Sequence, residues 1–205
     1  MKKLLVLTCL LFAVHTIIAQ EDDPRTQYDN YVGIRAGVNY TGLTESPFGF
    51  GQSGQITPNI GIYSESRFFN SIYLVWEANY SGKGGDFEDE ISEGELNLSY
   101  LDMPLMLAWY PTQTLGLQFG VLPSFFLAGN YSRPEGFEGG DATDLLFHRM
   151  TVGLVLGVNL RVTDAINVDF KYNPLNSLLF DLHTQPQLRP NTATLRIGYS
   201  FIREN

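Results

Sequence analysis

Residues 150–172 read MTVGLVLGVNLRVTDAINVDFKY. Val152, Leu154, Leu156, Val158 and Leu160 fall on one face of an extended chain, and Gly153, Gly157, Asn159 and Arg161 fall on the other. Thr163-Asp164-Ala165 supplies a tight turn. Val168 and Phe170 then alternate with Asn167, Asp169 and Lys171. Strict period-two patterning on both sides of a turn predicts two antiparallel strands.

The same pattern recurs along the chain. It predicts eight strands, near 31–40, 57–68, 72–81, 96–110, 115–126, 148–162, 166–172 and 192–202. The second sets Ile60 and Ile62 against Asn59, Gly61, Tyr63, Glu65 and Arg67; the third sets Leu74, Trp76 and Ala78 against Tyr73, Val75, Glu77 and Asn79. In the last, Leu195, Ile197, Tyr199 and Phe201 oppose Thr194, Arg196, Gly198 and Ser200. The connections alternate as well. Short turns at Asn70-Ser71, Pro111–Thr114 and Thr163–Ala165 interleave with long loops at 41–56, 82–95, 127–147 and 174–190. Antiparallel neighbours then put all short turns at one end and all long loops at the other. That asymmetry, with an even strand count, predicts an all-β fold: an eight-stranded antiparallel up-and-down transmembrane β-barrel of the outer-membrane type.

Alternation leaves open which face is inside. A soluble periplasmic barrel holding an apolar ligand would bury the aliphatic face. Here the polar face is poor in Lys and Glu and carries Gly33, Gly37, Gly61, Gly116, Gly120, Gly153, Gly157 and Gly198. A strand face in water gains nothing from glycine. A narrow lumen filled by side chains does. The aliphatic face is therefore expected to meet lipid, with Trp76, Tyr80, Trp109 and Tyr199 as girdle aromatics at the bilayer edges.

Composition agrees. The 205 residues suit one domain, and charged residues make up only 17% against roughly 25% in ordinary soluble domains. Gly (20), Tyr (11) and Phe (14) are plentiful, which excludes disorder. With 13 basic and 22 acidic residues, the chain lacks the basic face of a nucleic-acid binder. Lys2, Lys3, the apolar run from Leu4 and small Ala19 predict a secretory signal at 1–19, then a short periplasmic segment at 20–30 and the barrel at 31–205. Cleavage removes the sole cysteine, Cys9, and takes the formal charge from −9 to −11.

Tyr100-Leu101-Asp102-Met103-Pro104-Leu105-Met106-Leu107 resembles the fourth-strand motif of PorT-like outer-membrane β-barrel proteins of the Bacteroidetes type. Residues 33–39, Tyr172-Asn173-Pro174-Leu175 and Arg196–Phe201 resemble the same family more weakly, so the likeness spans about 28–202. Two positions depart from it. The chain ends Arg203-Glu204-Asn205 instead of on an aromatic, which would make Phe201 an internal assembly signal, and Pro174 stands where a glycine-rich exit is usual. The resemblance implies a fold and a bacterial outer-membrane location after signal cleavage. It implies no single activity: some members assist secretion machinery.

Arg35, Glu65, Arg67, Glu77, Asp102, Arg161, Asp169, Lys171 and Arg196 share the presumed lumen face, with Tyr63, Tyr73 and Tyr100. They form either a conduction path or a paired network that plugs the barrel. Buried charges need partners, which favours the network. Asp86, Glu88, Asp89, Glu90, Glu93 and Glu95 crowd 86–95 without a calcium-loop spacing and read as a solvated acidic loop. The apolar stretch of 174–190, with Leu175, Leu178, Leu179, Phe180 and Leu182, reads as a lid over the mouth or a docking surface. A lipid hydrolase would need a His–Ser–acid set at the external rim. His148 has the right parity, but its neighbour on that face is Met150, and His183 near Asp181 has no serine nucleophile. The sequence therefore marks no catalytic, cofactor-binding or metal residue and no cofactor. The expected partners are outer-membrane lipid and, through the long loops, other outer-membrane or periplasmic proteins. The expected role is structural or accessory, with a small-solute channel as the alternative.

Overall fold

The computed structural model describes residues 29–44, 54–88, 93–132, 140–141, 150–175 and 189–204. The predicted signal, His148, Asp181, His183 and most of the apolar loop lie outside them. Eight strands form a closed ring: β1 (Asn30–Thr44), β2 (Gly54–Phe69), β3 (Ile72–Glu88), β4 in two segments (Glu93–Asp102 and Leu105–Trp109), β5 (Leu115–Ser132), β6 (Met150–Arg161), β7 (Ile166–Leu175) and β8 (Arg189–Glu204). Each strand pairs antiparallel with its sequence neighbours. β1 and β8 close the ring from Asn30↔Glu204 to Thr44↔Arg189. A two-residue strand, Gly140–Asp141, pairs with β5 at its external end.

The strands outrun their predicted ends on the long-loop side. β3 and β4 continue into the acidic stretch, pairing Asp86 with Glu95 and Glu88 with Glu93. Asp86, Glu88, Glu93 and Glu95 therefore stand on paired backbone rather than in a loop. At the other end the turns are as tight as predicted. Asn70 takes φ 44°, a left-handed conformation that asparagine tolerates. The Thr163 hydroxyl accepts hydrogen bonds from the N–H groups of Ala165 and Ile166.

Prolines mark where the ladder breaks. Pro104 has no N–H to donate and splits β4. Around it the Met103 N–H donates to the Pro123 carbonyl at 2.8 Å, and the Glu77 N–H donates to the Pro104 carbonyl at 3.2 Å. Pro174 sits where the β6–β7 register shifts between Leu154 and Leu156.

The faces settle the orientation. Ile197 is 66% exposed and its neighbour Arg196 only 2%. The same inversion runs round the ring: Ile34, Ile62, Leu107, Phe119, Leu156 and Phe170 are exposed, while Arg35, Glu77, Asn159, Asp169 and Lys171 are buried. The barrel is apolar outside and mainly polar inside, where Val75, Met106, Leu122 and Val155 are among the buried aliphatic exceptions. Tyr80, Trp109 and Tyr199 sit near the ends of the apolar rows, as expected. Trp76 does not: it lies midway along the row from Ile72 to Tyr80, paired with Ser64 and Leu105.

An arginine at Leu156, midway along the lipid face of β6, is expected to cost roughly 2–4 kcal/mol of folding free energy in lipid vesicles. Alanine at the same site should cost less, because it adds no charge. Urea titration of the two variants measures the difference, and a harmless Leu156→Arg would mean the barrel is inside out.

Candidate functional site

The lumen is crossed by one network of charged side chains. Strand parity sends Glu77 inward from β3, Arg35 from β1, Glu65 from β2, Arg161 from β6, Asp169 and Lys171 from β7 and Arg196 from β8. The β7–β8 register sets Arg196 directly opposite Asp169. Room for the long side chains comes from glycine on the neighbouring strands. Arg35 faces Gly61 on one side and Gly198 on the other, and Arg196 faces Gly37. A Cβ on Gly37 would stand 2.9 Å from Cγ of Arg196, so the small residue and the large one come as a set.

Glu77 is the hub. It is ion-paired with Arg35, Lys171 and Arg196, the last at 2.9 Å. Those cations stand on β1, β7 and β8, so one carboxylate from β3 ties three distant strands across the lumen. Arg196 also pairs with Asp169 and donates to Asn79 Oδ1 at 3.0 Å and Asn59 Oδ1 at 3.3 Å. Arg35 donates to Asn167 Oδ1 at 3.2 Å and stacks 3.9 Å from the centre of the Tyr63 ring. Tyr63 accepts from Asn167 Nδ2 at 2.8 Å. Next to this network, a cavity of about 30 Å³ lined by Asn59, Lys83, Asp102, Lys171, Asn173 and Arg196 has room for a water molecule or two.

The short-turn end is closed differently. Arg161 pairs with Glu65 and lies against three tyrosines, 3.8 Å from the ring centre of Tyr110, 4.3 Å from Tyr31 and 5.0 Å from Tyr73. The guanidinium is held by a carboxylate and by aromatic faces at once. A Cβ on Gly116 would fall 2.6 Å from the Tyr110 ring, so this cage also depends on a glycine.

The structure thus brings together seven of the nine charged residues expected on the lumen face. Asp102 belongs to a separate pair with Lys83 at 2.8 Å, nearer the external end. Arg67 keeps its inward parity but lies at the rim of the short-turn end, where it donates to the Tyr73 hydroxyl at 3.2 Å and pairs with half-exposed Asp29 at 2.8 Å, outside the central network. Lys83, Tyr31 and Tyr110 are inward residues absent from the sequence expectation. The signal for Lys83 was present, since it continues the parity of Glu77, Asn79 and Ser81; the third strand was predicted to stop two residues short. Among the described residues no group of His, Cys, Asp and Glu is placed to hold a metal ion.

Removing one partner from a buried ion network leaves the others uncompensated. Glu77→Gln is expected to cost about 3–5 kcal/mol. Adding Lys171→Met should recover part of that loss, because it removes one stranded cation. Unfolding of the single and double variants in the same vesicles measures both steps, and an additive double variant would refute the hub.

A family model described as outer membrane protein beta-barrel domain matches residues 19–179. Solved structures of similar shape include Ail of Yersinia pestis, at 14% identity and a TM-score of 0.48, covering 85% of this chain and 100% of that one. OprG of Pseudomonas aeruginosa is 13% identical with a TM-score of 0.48, covering 88% and 99%. Neisserial surface protein A is 15% identical with a TM-score of 0.44, covering 84% and 97%. No curated protein sequence matches the chain. The chain belongs to the outer membrane protein beta-barrel domain family and is an integral β-barrel protein of the bacterial outer membrane.

Proposed function

We propose that the protein is a non-conducting, non-enzymatic barrel of the PorT-like type, which serves envelope or secretion machinery as a structural or accessory partner through its external loops. The observation that carries this reading is the Glu77 hub. Three cations from β1, β7 and β8 converge on one buried carboxylate. A solute would have to separate these pairs, in a lumen where eight strands leave space only for side chains. The Arg161–tyrosine cage supports the same conclusion at the short-turn end. The PorT-like assignment rests on the Tyr100–Leu107 stretch, which forms β4 on both sides of the Pro104 break. A role in binding partners fits a molecule whose central inward charges are engaged with one another in ion pairs.

Purified protein in planar bilayers is expected to give no steady open channel. Steady conductance whose ion selectivity changes in Arg196→Glu would place Arg196 on a path and replace this reading with that of a small-solute channel. A pull-down in mild detergent tests the accessory role, which predicts a stoichiometric envelope partner.

A further inference from the structure

The wall has a seam between β2 and β3. Their ladder stops at Asn59↔Ser81. Both strands run on toward the external side without pairing to each other: 54–58 pairs only with β1, and 82–88 only with β4. Pro58, the first β2 residue beyond the last pair, has no N–H to extend the ladder. Side chains bridge the seam instead. The Gly82 carbonyl accepts from the Thr57 hydroxyl at 2.6 Å and from Asn39 Nδ2 at 2.7 Å. Farther out, Gln55 Nε2 donates to Asn97 Oδ1 at 2.8 Å, from β2 to β4. The Thr57 and Asn39 bonds close the seam toward the lumen and leave a recess on its outer side.

That recess measures about 240 Å³ and is walled by Pro58, Tyr80, Asn97, Ser99, Ala128 and Asn130. Its polar groups are amides and hydroxyls, with the Tyr80 and Ser99 hydroxyls 2.8 Å apart. The one described cation that reaches it, Lys83, is neutralised by Asp102. Its height follows from the rows beneath it. Tyr80 ends the apolar row Ile72, Leu74, Trp76, Ala78 on β3, and Leu101 is the last aliphatic residue on β4 before Ser99 and Asn97. An open backbone edge is not tolerated in hydrocarbon. The seam therefore belongs at headgroup level, where its occupant must offer donors and acceptors of its own.

We propose that this recess binds the uncharged, hydroxyl-rich sugar headgroup of an outer-leaflet glycolipid. The sugar hydroxyls meet Asn97, Ser99 and Asn130, and the acyl chains lie on the aliphatic rows below. The test is native mass spectrometry of the full barrel released from nanodiscs. These contain equal amounts of monoglucosyl-diacylglycerol, phosphatidylglycerol and phosphatidylcholine with the same acyl chains. The glucolipid is expected to be retained about tenfold over either phospholipid. Ala128→Trp, which fills the recess, and Ser99→Ala, which removes a hydroxyl without adding bulk, should each abolish the preference. Phe119→Trp, on the same strand but away from the recess, should keep it. A shift in migration between unheated and boiled samples confirms that each variant is folded, and Ser99→Ala decides if Ala128→Trp is not. Equal retention of the three lipids, preference for phosphatidylglycerol, or a preference unchanged in the folded variants overturns the proposal.

Discussion

The central charged network of this barrel depends on how Glu77 is paired. A carboxylate fully removed from water costs several kcal/mol unless its surroundings replace the lost hydration. Glu77 has that replacement from Arg35, Lys171 and Arg196, and each of those cations would be equally costly without an anion. Asp169 supplies the second anion for Arg196 and stands close to both other cations. The cluster is therefore stable only as a whole, and it forms only when β1, β3, β7 and β8 surround the same space. Closure of the ring and satisfaction of the charges are a single event.

This coupling also fixes the register. A slip of one residue in any strand exchanges its inward and outward sets. For β8 the slip would carry Arg196 into lipid and Ile197 into the charged lumen. Either change alone is costly at the bilayer midplane. The glycines sharpen the choice further. Arg35 is opposite Gly61 and Gly198, and Arg196 is opposite Gly37, so a two-residue slip of β8, which preserves the faces, would in one direction set Arg35 against Arg196. Polar patterning selects the face, and the pairing of large with small selects the register within it.

Strand count, alternation of turn lengths and the inside-out orientation were legible in the sequence because each is a local or periodic property. Leu154, Leu156 and Val158 against Gly153, Gly157 and Asn159 suffice to assign two faces to β6. What was not legible is either nonlocal or past the point where periodicity fades. Parity places Glu77 inward, but only the closed ring shows that its partners stand on β1, β7 and β8 while Arg67 is left at the rim with Asp29. Tyr31 and Tyr110 lie at the ends of predicted strands, where one neighbour is not enough to assign a face. Lys83 was lost because Gly82, Gly84 and Gly85 look like a loop, although the backbone there continues as a paired strand. Trp76 shows a further limit: an aromatic on the lipid face is readable from sequence, but its depth needs the turn positions as well.

The two ends of the barrel solve the same problem by different means. At the short-turn end the β2–β3 ladder is maintained to Phe69↔Ile72, and the interior is closed by Arg161 against Tyr31, Tyr73 and Tyr110. On the long-loop side the same ladder stops at Asn59↔Ser81, and side chains from Asn39, Thr57 and Gln55 take over the bridging. A backbone ladder resists separation because many bonds must break together. Isolated side-chain bonds yield one at a time, each at a net cost of about 0.5–1.5 kcal/mol. The wall is therefore stiff over the span of the charged network and most easily deformed above it, where the surroundings change from hydrocarbon to headgroups. The inner part holds its charges in ion pairs on which the fold rests, so the outer part is where the wall gives without separating them.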